Sequence, residues 1–308
     1  MRLVPLIPMV VAAAVTACIN HVNVQCGQDS DCNLSSGGVC TAVAGTGDRW
    51  CAYPDSGCPN GYRFSTLDVG DGVSGTCVAG TEIPNDMVLV PAGPFLMGCN
   101  ASIEGATVCS ATEQVDELPF HSVMLDSFLI DKFEASRAKY NECVNAHVCV
   151  ATGGEMTSNL PVAVTWQEAT TYCIWAGKRL PTEAEWEKTA RSDDGRTFPW
   201  GSTPPNCTLA DYVDCGGGYV TVESLQGGAS PYGTLNMAGD IAEWVRDLYQ
   251  SDYYVTSPSS NPPGPLAGDS NVLRGGSAAN QANELRIARR GFRPIGFGGF
   301  GFRCARSL

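Results

Sequence analysis

Ala176-Gly177-Lys178-Arg179-Leu180-Pro181-Thr182-Glu183-Ala184-Glu185-Trp186-Glu187 is the run on which the reading of this chain turns. Thr182 and Glu185 have capping-box spacing: the threonine hydroxyl accepts from a first-turn N–H, and the glutamate reaches back to the cap's own amide. A helix is expected to open after Thr182 and to end at Asp193-Asp194-Gly195. The same device stands upstream, where Thr165-Trp166-Gln167-Glu168 predicts a helix to Ala176 that Gly177 stops. Phe133-Glu134 leads into a further helix from Ser136 to about Ala146. Val123, Leu125, Phe128 and Ile130 read as strand, and the apolar runs at 87–90 and 95–98 around Pro91-Ala92-Gly93 predict a hairpin. Beyond residue 196 glycine dominates, so only short strands and loops are expected. The sum is an α+β domain with few long elements.

Four further motifs follow the opening run in order. They are Phe198-Pro199-Trp200-Gly201, Asn236-Met237-Ala238-Gly239-Asp240-Ile241-Ala242-Glu243-Trp244, Arg274-Gly275-Gly276-Ser277 and Gly301-Phe302-Arg303-Cys304. Each alone is weak, but the ordered set resembles the formylglycine-generating enzyme family, also called the sulfatase-modifying-factor domain. The resemblance covers roughly residues 85–307 and implies a C-type-lectin-like fold with little regular secondary structure.

By that resemblance, catalytic members hold copper(I) between two thiolates and use oxygen to convert a substrate cysteine to formylglycine. Their two cysteines fall at Asn280 and Leu285 here. Copper(I) is soft and favours sulfur, and neither an amide nor an aliphatic side chain replaces a thiolate. His21, His121 and His147 lie in unrelated segments and form no metal-ligand pattern. Copper is therefore not expected.

The family's cysteine before the opening run pairs with the one in the terminal motif, which implies a Cys173–Cys304 bridge. Closing so long a loop is worth on the order of 4–5 kcal/mol in the chain-entropy model. A second bridge of catalytic members falls at Ala190 and Arg290, so both its ends are missing together. The six other cysteines of the domain stand in close pairs, Cys99/Cys109, Cys143/Cys149 and Cys207/Cys215, each a plausible local staple that leaves no thiol for chemistry.

Taken by itself, the Asn236–Glu243 stretch reads as a glycine turn leading into a core tryptophan, Trp244. The resemblance implies calcium there, held by Asn236, Gly239, Ile241 and Glu243, with glycine and isoleucine offering carbonyls. A second family calcium site would fall at Asp211-Tyr212 with Asp214, where the Cys207–Cys215 segment disturbs the spacing.

Between Arg274 and Arg306 there are seven arginines against one acid, Glu284. Arginines commonly pair with carboxylates and loop carbonyls, so most are read as structural. Arg289, Arg290 and Arg293, beside Phe292 and the Phe297–Phe300 loop, are the candidates for holding a carboxylate of a peptide or glycan.

The whole chain has 308 residues, a formal net charge of -13 and 17% charged residues, which argues against nucleic acid as a partner. Its 35 glycines and 19 prolines fit a turn-rich fold. Arg2 followed by an apolar stretch to Val15 reads as an export signal over residues 1–17, too short and too interrupted by Pro5 and Pro8 to span a membrane. It ends Val15-Thr16-Ala17-Cys18, which resembles a bacterial lipobox with Cys18 as the acylated residue. Ile19 after the cysteine points to the outer membrane. Residues 18–80 carry Cys26, Cys32, Cys40, Cys51, Cys58 and Cys77, too little apolar surface for a core, so three crosslinks are expected to supply the stability. Residues 81–86 read as a linker and 87–308 as the main domain.

The expected function is that of an envelope-anchored lipoprotein whose domain is non-catalytic and binds a protein or glycan. The alternative is an oxidoreductase of the formylglycine-generating class working through an atypical site. The lipobox reading has a direct check. Mass spectrometry of the mature chain is expected to find a lipid-bearing N-terminal Cys18, and an unmodified N-terminus at Ile19 or beyond would refute it.

Overall fold

The computed structural model describes residues 26, 32, 38–42, 49–54, 62–64, 83–109 and 115–308. The expectations that rest on the signal segment, Cys18, His21, Cys58 and Cys77 lie outside the described residues. In the N-terminal module, β1 (Val39–Ala42), β2 (Arg49–Pro54) and β3 (Tyr62–Phe64) form an antiparallel sheet in the order β1-β2-β3. Disulfides Cys26–Cys40 and Cys32–Cys51 cross it, and its buried cluster is Cys32, Cys40 and Cys51. Sulfur takes the place of an aliphatic core.

The main domain begins with β4 (Met87–Val90), β5 (Gly93–Met97) and the single turn α1 (Ala101–Glu104). Then come β6 (His121–Leu125), β7 (Phe128–Asp131), α2 (Arg137–Asn145), α3 (Trp166–Trp175) and α4 (Glu183–Arg191). A long irregular stretch leads to β8 (Glu243–Leu248), the short α5 (Tyr253–Thr256), β9 (Ser270–Arg274), β10 (Gly291–Pro294), β11 (Gly301–Phe302) and β12 (Ala305–Ser307). The strands form small sheets in the orders β10-β9-β8-β11, β12-β7-β4 and β5-β6. This is a mixed helix-and-sheet domain of short elements. Both capping boxes are formed, Thr165 with Glu168 and Thr182 with Glu185, and Ser136 caps α2. Gly177 ends α3 in the left-handed region at φ 70.

One expected element is not there. The runs 87–90 and 95–98 do not pair with each other: β4 pairs with β7 and β5 with β6. Pro91 has no N–H to give a hairpin ladder. Gly93, at φ 137, turns the chain from one sheet to the next, and the Lys188 ammonium donates to the carbonyls of Pro91 (2.7 Å) and Gly93 (2.8 Å). The corner is tied to α4 rather than to a partner strand.

Every residue of α4 is buried, including Glu183, Glu185, Glu187, Lys188 and Arg191. Ala184 packs in the cluster of β4 to β7, while Trp186 and Ala190 pack with Val245, Val272 and Ile287. A third cluster joins α2 and α3 to Trp244 and Phe302 around the Cys173–Cys304 disulfide, whose Cα atoms are 5.6 Å apart. The charges of α4 are answered from the C-terminal strands. Arg274 donates to Glu183 and Glu187, and Arg290 pairs with Glu183, all at about 1% side-chain exposure or less.

Removing one partner of such a buried pair leaves the other charge stranded, at a cost of about 3–5 kcal/mol. Arg274→Met is therefore expected to lower the unfolding free energy by about that amount in urea melts. Lys139→Ala, which breaks a pair exposed by 62% and 57%, is expected to change it by less than about 1 kcal/mol. Equal effects from the two would contradict this account of α4.

Candidate functional site

Asn280 precedes the short 3-10 turn Ala282–Leu285 and Leu285 ends it, just past the Arg-Gly-Gly-Ser motif. Asn280 is committed on both sides: its Oδ1 accepts from Ser277 Oγ at 2.8 Å, and its carbonyl accepts from Val213 N at 3.1 Å. Leu285 is fully buried against Phe198, Ala210, Tyr212 and Ala238. The second position of the copper pair is thus a core contact with no donor atom. The Cys207–Cys215 disulfide is nearby, with Cys215 packed on the same cluster. Cys99–Cys109 and Cys143–Cys149 are bonded as well, and each cysteine among the described residues lies in a disulfide.

Outside this turn lies a cleft of about 450 Å³ lined by Thr107, Val108, Gln281, Asn283, Glu284, Arg286 and Arg289. The Cys99–Cys109 loop forms one wall. Arg286 anchors that wall through Glu104 (2.7 Å) and Glu117 (2.9 Å). Burial pushes the Glu117 carboxyl upward, and the Arg286 guanidinium pulls it partly back.

The three candidate arginines part company here. Arg289 lines the cleft, 36% exposed, with Nη1 3.8 Å from Glu117. Arg293 is exposed on β10, its guanidinium 5.3 Å from the Phe300 ring centre. Arg290 is not available to a ligand. It is buried, forms two hydrogen bonds to the Glu183 carboxylate, and lies over the rings of Tyr249 and Tyr254. Glu183 is over a hundred positions away in the chain, so the local excess of arginine gave no sign of it.

A second constellation is built on the Asn236–Glu243 loop. Asn236 and Asp240 have positive φ (both 54) and Gly239 has φ 86, a sharply curled backbone. Asp211 comes within reach: its carbonyl accepts from Asp240 N at 2.9 Å, and a Cβ on Gly239 would lie 2.1 Å from that oxygen. Glu134, from the segment before α2, accepts from Asn236 Nδ2 at 3.3 Å. Three buried oxygens are left without partners: Asn236 Oδ1, Glu134 Oε1 and Asp211 Oδ2. The carbonyls of Gly239 and Ile241 accept no backbone hydrogen bond among the described residues. Buried polar groups are ordinarily satisfied, and bare carboxylate, amide and carbonyl oxygens are the donor type a hard cation takes.

The electrostatics agree. Burial raises Glu134 well above the usual carboxylate range despite Arg303, with Asp240 and Glu243 adding to the rise. Burial likewise pushes Asp240 up to about 7, helped by the charges of Asp211 and Glu243. Glu243 is differently placed. Both its oxygens already accept from Arg303 and one from the Trp186 indole, so only its remaining lone pairs are open. Of the second expected site, Asp211 joins this cluster and Tyr212 is buried, its hydroxyl donating to Pro205 O at 3.3 Å, whereas Asp214 is exposed in the Val213–Cys215 turn. Glu134 and Asp240 were missed from sequence. Asp240 sits inside the Asn236–Trp244 motif at a position to which the resemblance assigns no ligand, and Glu134 lies outside every motif.

Residues 77–308 match the family model described as the sulfatase-modifying factor enzyme 1-like domain. The chain is 32% identical over 260 residues to the serine/threonine-protein kinase pkn1 of Chlamydia pneumoniae, covering 73% of this chain but only 38% of that protein. It is 30% identical over 292 residues to the formylglycine-generating enzyme of Thermomonospora curvata, covering 73% of this chain and 94% of that one. Among solved structures, PvdO from Pseudomonas aeruginosa superposes with a TM-score of 0.61 at 24% identity, over 72% of this chain and 94% of that one, a likeness of fold. With a family model matched over most of its length and a relative aligned nearly end to end, this chain belongs to the sulfatase-modifying factor enzyme 1-like family.

Proposed function

We propose that this protein is a lipid-anchored envelope protein whose sulfatase-modifying-factor-like domain binds a protein or glycan partner and does not make formylglycine. The observation that carries the second half is Leu285, a fully buried core side chain at the position of a copper thiolate. Asn280 offers an amide already bonded to Ser277, and the neighbouring sulfurs are locked in Cys207–Cys215. Copper(I) has neither of its soft ligands there, and without it oxygen has no site for activation. The cleft beside that turn persists with Gln281, Asn283, Glu284 and Arg289 along it, a set suited to hydrogen bonding a polar ligand. The anchor rests on the Val15-Thr16-Ala17-Cys18 ending of the signal segment, and the placement at the outer membrane on Ile19.

Calcium in this reading is a structural ion. Asn236 Oδ1, Glu134 Oε1 and the Gly239 and Ile241 carbonyls would hold it, with Glu243 and Asp211 at its edge. The ion would supply positive charge beside the Glu134 and Asp240 carboxyls, whose charged forms burial disfavours. Its effect would be on the stability of the loop that carries Trp244 into the core.

Two outcomes are expected. Copper-loaded protein in air, given a cysteine-containing sulfatase peptide, leaves the peptide mass unchanged. Time-dependent accumulation of the aldehyde product would overturn the non-catalytic reading and promote the oxidoreductase alternative. At neutral pH, calcium in hundredfold excess over its Kd is expected to add about 2.7 kcal/mol of stability, raising the melting midpoint by several degrees over chelator-treated protein. Glu134→Gln removes a charge that burial disfavours, so its metal-free midpoint should be unchanged or higher while the calcium gain is lost. A calcium gain of full size in that variant, or none in the parent, would refute the site.

A further inference from the structure

A separate pocket of about 410 Å³ lies between the first turn of α3 and the ends of β8 and β9. Its walls are mostly apolar: Trp166, Leu248, Pro263, Pro265 and Ile295. Two deeply buried polar side chains, Asp247 and Asn271, also line it, at 3% and 2% exposure. That size, an apolar shell and a few convergent polar groups are the usual make-up of a small-ligand site.

The polar pair is unusual within this fold. Glu183, Glu187, Glu117 and Glu243 are equally buried, and each has an arginine against it. Asp247 has no cation bonded to it among the described residues. Its Oδ2 accepts only from Glu183 N, at 2.8 Å, at the start of α4. The adjacent Arg246 is exposed at the pocket rim, where its Nη2 lies 3.4 Å from Pro263 O and makes no ion pair with Asp247. Burial, with the Glu183 charge adding to it, pushes the Asp247 carboxyl up to about 7; Arg246 pulls it down weakly and Glu185 up, and the Tyr253 hydroxyl feels the same charge. The Asn271 side chain makes no hydrogen bond among the described residues. An acid with no cation bonded to it and an amide with no hydrogen bond among the described residues thus share one mostly apolar pocket. Buried charges are ordinarily paired and buried amides ordinarily bonded.

We propose that this pocket binds an organic ammonium carried on an apolar stem. The ammonium, with three donors and no acceptor, meets the Asp247 carboxylate and the Asn271 amide oxygen. The stem packs on the Trp166 indole and Ile295, where the cation also gains from the ring face. An anion would meet an unpaired carboxylate, and a neutral apolar molecule would seal Asp247 and Asn271 away unsatisfied. The pocket is distinct from the cleft at residues 281–289, so this inference stands whether or not that cleft binds a partner.

Calorimetry on the full chain at neutral pH tests it, using phenethylammonium, phenethyl alcohol and phenylacetate, which share the apolar body and differ in the charge of the head. Phenethylammonium is expected to bind at least about tenfold more tightly than the alcohol, with phenylacetate weakest. Asp247→Asn should erase the preference for the ammonium. Ile295→Trp changes a side chain that is 62% exposed at the pocket mouth, so it leaves the fold intact and should block all three ligands. Should Asp247→Asn fail to fold, the ligand series on the parent and Ile295→Trp still decide. Equal affinity for ammonium and alcohol, no ammonium binding at millimolar concentration, or undiminished binding to Ile295→Trp would each overturn the proposal.

Discussion

The guanidinium of Arg274, fully buried between Glu183 and Glu187, is the contact on which the rest of the domain depends. It lets a helix with five ionisable side chains sit where a bundle would place leucine. Arg290 adds to Glu183, Arg191 to Glu187, and Arg179 closes on Glu185 at the rim. Because each acid is matched, α4 can be surrounded by strands from three small sheets. Those sheets are too short to make a core of their own, and they meet through this helix. Planar guanidinium groups suit the task, since one of them reaches two carboxylates and a backbone carbonyl together, as Arg274 does with Ile287 O.

The same logic explains what was legible from sequence. Capping boxes are local, four residues long and chemically specific, so Thr165 and Thr182 announced their helices. The 87–98 region was misread because apolar runs around a proline and a glycine look alike whether the strands fold back or part. What parts them is Lys188, nearly a hundred residues on. The arginine-rich tail was correctly weighted toward structure, but Arg290 was placed on the wrong side because its acid is in α4. Long-range charge pairing leaves no periodicity to read.

The two candidate centres of the domain have gone different ways. Around Leu285 the polar chemistry is gone and the space is filled with side-chain carbon. Around Asn236 there are bare, buried oxygens, and burial pushes the Asp240 carboxyl up to about 7. Leu285 is held by packing alone, with no polar atom to satisfy. Dismantling the oxygen cluster would require repacking the loop that delivers Trp244 and Glu243 to the core.

The buried pairs also bear on kinship. Arg274, Glu183, Glu187, Glu243 and Arg303 are the very residues that make up the recognisable motifs, and each is held by its partner's charge. A substitution at either member alone strands an ion, so descent can change them only by two coordinated steps. Shared motifs of this kind therefore certify common ancestry of the frame, and an inherited catalytic role has to be judged at positions 280 and 285.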